Sequence, residues 1–125
     1  MSTILLVDSD PLQGFLRKAI LERRFRDVQR VRDAAEALCL VEQPKFAGNL
    51  GLVISDTSIP GIGSLAFVAE LRERLPNVPV LVLGERDAAP DFSGGWVRFL
   101  SRPFVGEQIL DAASDLMERH SCEAA

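Results

Sequence analysis

The sequence predicts an open α/β domain, a parallel five-stranded sheet of flavodoxin-like order 2-1-3-4-5 with helices on both faces. Three observations predict it. Short apolar runs at Thr3–Val7, Leu52–Ser55 and Val78–Leu83 alternate with helical patterns, as strands buried on both faces do. Two further runs, Val28–Val31 and Trp96–Ser101, mix apolar with polar residues and suit the sheet edges. The length of 125 residues matches a common single-domain size and buries enough surface to fold without a disulfide or a metal.

The elements follow in order. After the first strand, Asp10 offers an N-cap and Pro11 suits the first helical position. Leu12, Phe15, Leu16, Ala19 and Ile20 then recur at helical spacing and are expected to face the core. Asp33 and Glu36 resemble a capping box for a helix through about Val41. Pro44 is expected to end that helix, with Gly48 and Asn49 loosening the link to the next strand.

Asp56 ends the Leu52–Ser55 strand, and a loop with Pro60, Gly61 and Gly63 follows. Ser64 is expected to cap a helix whose core face is Leu65, Val68, Leu71 and Leu75, and Pro76 stops it. The stretch 84–95 contains Pro90, Gly94 and Gly95 and lacks helical periodicity, so its helix is expected to shrink to a turn or loop. After the fifth strand, a last helix points Ile109, Ala112, Ala113 and Leu116 inward. The domain is expected to occupy residues 1–120, with a small polar tail over 121–125.

Charge and cysteine content narrow the function. Fourteen basic and eighteen acidic residues leave a net charge of −4, which argues against direct nucleic-acid binding. The basic cluster Arg23, Arg24, Arg26, Arg30 and Arg32 is expected to be a solvated surface. Cys39 and Cys122 are too few and too far apart for a disulfide framework or a zinc site, and Cys39 is expected to be buried or half-buried. The first apolar run is too short for a signal peptide or a membrane span, so the expected compartment is the cytoplasm. His120 has no partner at a useful spacing, so no histidine-based catalysis is implied.

In this topology the carboxyl ends of strands one and three lie side by side. That juxtaposes Asp8, Ser9 and Asp10 with Asp56. A carboxylate there must be solvated, paired with a cation or neutralised by a metal, because bare burial is costly. Two neighbouring carboxylates suit a hard divalent cation such as magnesium.

At these residues the chain resembles the receiver domains of two-component response regulators, over nearly its whole length. Ile4-Leu5-Leu6-Val7-Asp8-Ser9-Asp10 is similar to the family's opening strand and acidic pair. Val53-Ile54-Ser55-Asp56-Thr57-Ser58-Ile59-Pro60 is similar to its phosphoacceptor strand and D-x-x-M-P loop. Leu75–Leu83 resembles the approach to its fourth strand, and Phe99-Leu100-Ser101-Arg102-Pro103-Phe104 its aromatic-x-x-K-P-F segment.

The resemblance implies that Asp56 is the phosphoacceptor and that Asp8, Asp56 and the Ser58 carbonyl hold magnesium. It also exposes departures. Ser9 replaces the second acid, a metal ligand in the family, so the cation site is expected to be weakened. Gly84 stands where a Thr or Ser hydroxyl would bind the phosphoryl group. Arg102 replaces a Lys, keeps its charge and is expected to reach Asp56. Phe99 matches an aromatic switch position without a hydroxyl, and the Arg102–Pro103 bond is expected to be cis. Trp96, on the edge strand, is a candidate contact for a partner, or else a core or rim filler.

The combination of Ser9, Gly84 and Arg102 leads to an expected atypical receiver, a pseudoreceiver and not an enzyme. It would regulate through a protein partner, a histidine kinase or an output domain, or by forming a homodimer. The alternative is a working receiver phosphorylated on Asp56 by a histidine kinase with magnesium. A flavodoxin-like electron carrier is the remote third reading, since acidic Asp8-Ser9-Asp10-Pro11 would repel a flavin phosphate.

Overall fold

Residues 2–92 and 96–124 are described by a computed structural model. Five parallel strands pair in the order β2-β1-β3-β4-β5. They are β1 (Thr3–Val7), β2 (Asp27–Val31), β3 (Leu50–Asp56), β4 (Val80–Gly84) and β5 (Val97–Ser101). The helices are α1 (Pro11–Glu22), α2 (Ala34–Val41), α3 (Pro44–Asn49), α4 (Ser64–Arg74) and α5 (Gly106–Ala124). Every residue of β1, β3 and β4 is buried, whereas β2 and β5 are only partly so. The uniformly apolar runs therefore occupy the centre, where both faces are covered.

Side chains alternate along each strand, so the sheet feeds two cores. On one face Ile4, Leu6, Leu52, Ile54, Leu81 and Leu83 pack with Leu21 of α1 and Ile109, Ala113 and Leu116 of α5. On the other, Leu5, Val7, Val53 and Val82 pack with Ala37 of α2 and Phe67 and Leu71 of α4.

Several local expectations are corrected. On α1 the buried residues are Gly14, Arg17 and Leu21, while Leu12, Phe15 and Leu16 are 50–68% exposed. The more apolar stripe thus faces outward, because the helix turns a glycine and an arginine toward the carboxylate-bearing strand ends. In α4 the core residues are Phe67, Val68 and Leu71; Leu65 is exposed and Leu75 half-buried. Gly63, not Ser64, is the N-cap of α4, and no side chain caps that end.

Pro44 ends one helix by opening another. It occupies the first turn of α3, where its missing N–H costs nothing, and Gly48 and Asn49 lie inside that helix. Cys39 is exposed on α2. Residues 121–124, expected as a tail, continue α5.

Other expectations hold. Asp10 caps α1 by accepting from Gln13 N at 2.9 Å, and Asp33 caps α2 by accepting from Glu36 N at 2.8 Å. The reciprocal half of the second box is displaced by one residue, with Glu36 accepting from Arg32 N. Among the described residues between β4 and β5 a short 3₁₀ turn, Arg86–Asp91, stands in place of a full helix, and Pro90 lies within it. Gly94 and Gly95 lie outside the described residues. The Arg102–Pro103 bond is cis.

Candidate functional site

The parallel pairing of β1 with β3 aligns Val7 with Ser55, so the next residues, Asp8 and Asp56, emerge together at the carboxyl edge of the sheet. Both are nearly sealed, at 1% and 3% exposure. Two buried like charges need compensation, and it comes from arginines.

Arg17, 6% exposed on the inward face of α1, bridges the two acids. Its Nη1 donates to Asp8 Oδ2 at 2.8 Å and to Asp56 Oδ2 at 2.9 Å. Arg102, just beyond β5, donates from Nη2 to the same Asp56 Oδ2 at 2.7 Å. Gln13, one turn before Arg17, adds an amide contact to Asp8 Oδ2 at 3.2 Å. Asp8 Oδ1 accepts from Asp10 N at 3.0 Å, and Asp56 Oδ1 from Ser58 N at 2.9 Å. The ring of Phe104 is shared by both cations, with Arg17 Cζ 5.5 Å and Arg102 Cζ 5.8 Å from its centroid.

Burial alone would raise the Asp56 pKa, and this is its largest single influence. The Arg17 hydrogen bond, the Ser58 N–H and the charges of Arg102 and Arg17 together outweigh it, so the carboxyl lies below its ordinary value. Asp56 is therefore held as a carboxylate with both oxygens engaged.

A third arginine fixes the loop that carries Asp8. Arg30 of β2 donates from Nη2 to the backbone carbonyls of Asp8 at 2.9 Å and Asp10 at 3.2 Å. Its guanidinium crosses α1 at Gly14, where a β-carbon would lie 2.1 Å from Nε. Arg30 thus belongs to the site's frame and not to the solvated surface expected for it; Arg23 and Arg24 do lie at the surface, beside Glu107.

The remaining sequence candidates divide. Ser9 and Asp10 are exposed, and Asp10 Oδ1 is taken by the cap of α1. Gly84 pairs with Ser101 at the end of β4, and its empty side-chain position is filled by Thr57, whose Cγ2 and Oγ1 lie 2.6 Å from where a β-carbon would be. Phe99 is half-buried and stacks on Phe92 at 5.8 Å with an interplanar angle of 21°. Trp96 is half-buried before β5, where its carbonyl accepts from Val80 N at 2.8 Å.

Arg17, Gln13 and Thr57 went unnoticed in the sequence. A signal for Arg17 existed: Gly14, Arg17 and Leu21 also recur at helical spacing, and the paired acids required a cation from a neighbouring element.

A model of the response regulator receiver domain family matches residues 4–114. The chain belongs to the response-regulator receiver family. This receiver domain is 30% identical to the transcriptional regulatory protein BasR of Escherichia coli, over 94% of the chain and 53% of BasR. It is 32% identical to the transcriptional regulatory protein TctD of Salmonella typhimurium, over 97% of the chain and 53% of TctD. The chain thus spans about half the length of these curated relatives. Among solved structures it resembles a response regulator receiver domain protein from Clostridium thermocellum, with a TM-score of 0.83, 19% identity and 98% of both chains covered.

Receiver domains generally bind magnesium in an acidic pocket, and in this chain the candidate donors there are already engaged. Ser9 supplies no charge, the Asp10 carboxylate caps α1, and the inward oxygens of Asp8 and Asp56 converge on Arg17 Nη1. Among the described residues no group of three or more His, Cys, Asp or Glu side chains is placed to hold a metal.

Proposed function

We propose that this receiver domain is atypical and regulates by contact with a protein partner, with little or no dependence on phosphorylation. The observation that carries the reading is the occupation of Asp56 Oδ2 by two guanidiniums, Arg17 at 2.9 Å and Arg102 at 2.7 Å. A phosphoryl group forming its bond at that oxygen would have to displace both. The absent hydroxyl at Gly84, with Thr57 filling its space, removes a further contact for that group.

Exposed apolar residues support a protein partner. Leu12, Phe15 and Leu16 crowd the outer face of α1, and Val105 precedes α5. Solvent-facing apolar clusters of this kind mark contact surfaces. The partner is a histidine kinase or an output domain, with self-association as a further mode. No helix among the described residues is long and apolar enough to cross a membrane, and the domain is read as a cytoplasmic signalling module that turns over no metabolite.

The test is intact-mass measurement after incubation with magnesium and a small-molecule phosphodonor, beside an Asp56→Ala control. No adduct on folded wild type is expected. A phosphoryl adduct on wild type alone would favour the second reading, a working phosphoacceptor. That reading draws on the ionised Asp56 and on the basic Arg102 beside it.

A further inference from the structure

The acidic pocket holds two carboxylates and two guanidiniums, Asp8 and Asp56 with Arg17 and Arg102, and its formal charge is already zero. We propose that Arg17 is the pocket's resident cation, so that its guanidinium and a divalent metal ion are mutually exclusive occupants. This deepens the reading of an atypical receiver and rests on it.

The placement of Nη1 supports the proposal. It lies 2.8 Å from Asp8 Oδ2 and 2.9 Å from Asp56 Oδ2, one oxygen from each acid. Magnesium needs oxygen ligands at about 2.0–2.1 Å in octahedral array. An ion bound by both oxygens at such distances would overlap the space that Nη1 fills. It would also add two positive charges beside Arg17 and Arg102, where Asp8 and Asp56 are only 1% and 3% exposed and solvent screening is weak.

The guanidinium is held there by more than the acids. Its stem arises from the buried stripe of α1 between Gly14 and Leu21, and its Cζ lies over the Phe104 ring, 5.5 Å from the centroid. The side chain is 7% exposed. Arg17 would have to leave the pocket for a metal to enter, and both carboxylates would lose their shared donor while it did. The sequence departure at Ser9 has the same sense, since one fewer acid makes a single guanidinium sufficient where a divalent ion would otherwise be needed.

The test is magnesium titration of the full chain, read by calorimetry and by thermal unfolding, with a sodium chloride control at matched ionic strength. Wild type should show no magnesium-specific heat and no magnesium-specific rise in Tm at millimolar metal. Arg17→Met, which keeps the stem and removes the charge, should have a lowered Tm that magnesium raises, with an affinity gain of at least about tenfold over wild type. Arg17→Gln provides a second neutral variant.

Magnesium-specific binding by wild type would overturn the proposal, as would folded Arg17→Met and Arg17→Gln proteins that gain no affinity. Should neither variant fold, the wild-type titration decides alone. Failure here is distinguishable from failure of the functional reading. A wild-type chain that binds magnesium but accepts no phosphoryl group would sink the resident cation and leave the atypical receiver standing. One that accepts a phosphoryl group without binding magnesium would do the reverse.

Discussion

The side chain of Thr57 lies where a side chain on Gly84 would begin: its Oγ1 and Cγ2 are both 2.6 Å from the position a β-carbon there would take. Phe99 Cζ is 3.2 Å from the same point, so the space is closed from two sides. Restoring a hydroxyl at this position by Gly84→Ser should therefore destabilise the domain, by about 1–3 kcal/mol as in other overpacked cores. Thr57→Ala removes both clashing atoms and should recover most of the loss. Denaturant unfolding of the four proteins measures the coupling. Additive effects would mean that the two positions do not share one space.

Asp56 gives the fold an acid sensitivity with a defined sign. Its native pKa is depressed below the ordinary 3.8, despite burial, by Arg17, Ser58 and Arg102. A depressed native pKa means that the unfolded chain takes up the proton first. The stabilisation is complete above the unfolded value of about 3.9 and is lost as pH falls through the lower native value. Unfolding free energy measured from neutral pH downward should fall more steeply below about pH 4 for wild type than for Asp56→Asn. Parallel curves would show that Asp56 is not the group responsible.

Gly14 and Arg30 form a second space-sharing pair. Ala is a better helix former than Gly by about 1 kcal/mol, so Gly14→Ala in a free helix would stabilise. Here the added β-carbon would meet Arg30 Nε at 2.1 Å and push the guanidinium off the carbonyls of Asp8 and Asp10. The expected outcome is a loss of about 1–3 kcal/mol, the scale of losing hydrogen bonds from a charged donor. In an Arg30→Ala background the same substitution should become neutral or stabilising. If Gly14→Ala stabilises the wild-type background as well, Arg30 does not hold the loop.

The sheet was legible because its central strands are buried on both faces and must be continuously apolar, as at Ile4–Val7 and Leu81–Leu83. The weak segment before β5 was legible from Pro90, and the Asp56–Arg102 pair from the residues that resemble the family motif. The orientation of α1 was not. Hydrophobic periodicity identifies the greasier stripe and is silent on which stripe the strand ends require. Leu12, Phe15 and Leu16 made the outer face look like a core face, and Arg17 went unnoticed. Thr57 was invisible for a different reason. Its bearing on Gly84 is a contact between the ends of neighbouring strands, which no periodicity along one strand reports.

Phe104 offers the most direct probe of how the cationic side of the pocket is held. Its ring faces both guanidiniums, with centroid distances of 5.5 Å to Arg17 and 5.8 Å to Arg102. Cation–π contacts of partly desolvated arginines contribute about 0.5–2 kcal/mol each. Phe104→Leu keeps apolar bulk but removes the ring's negative face, so it should destabilise the domain by about 1–3 kcal/mol if both contacts count. Part of that loss is ordinary packing, which a double-mutant cycle separates. In an Arg17→Gln background the penalty of Phe104→Leu should shrink, because one of the two cations is gone. Unfolding free energies of the four proteins decide it. An unchanged penalty would make Phe104 a simple filler beside the pocket, and the position of Arg17 would then rest on Asp8 and Asp56 alone.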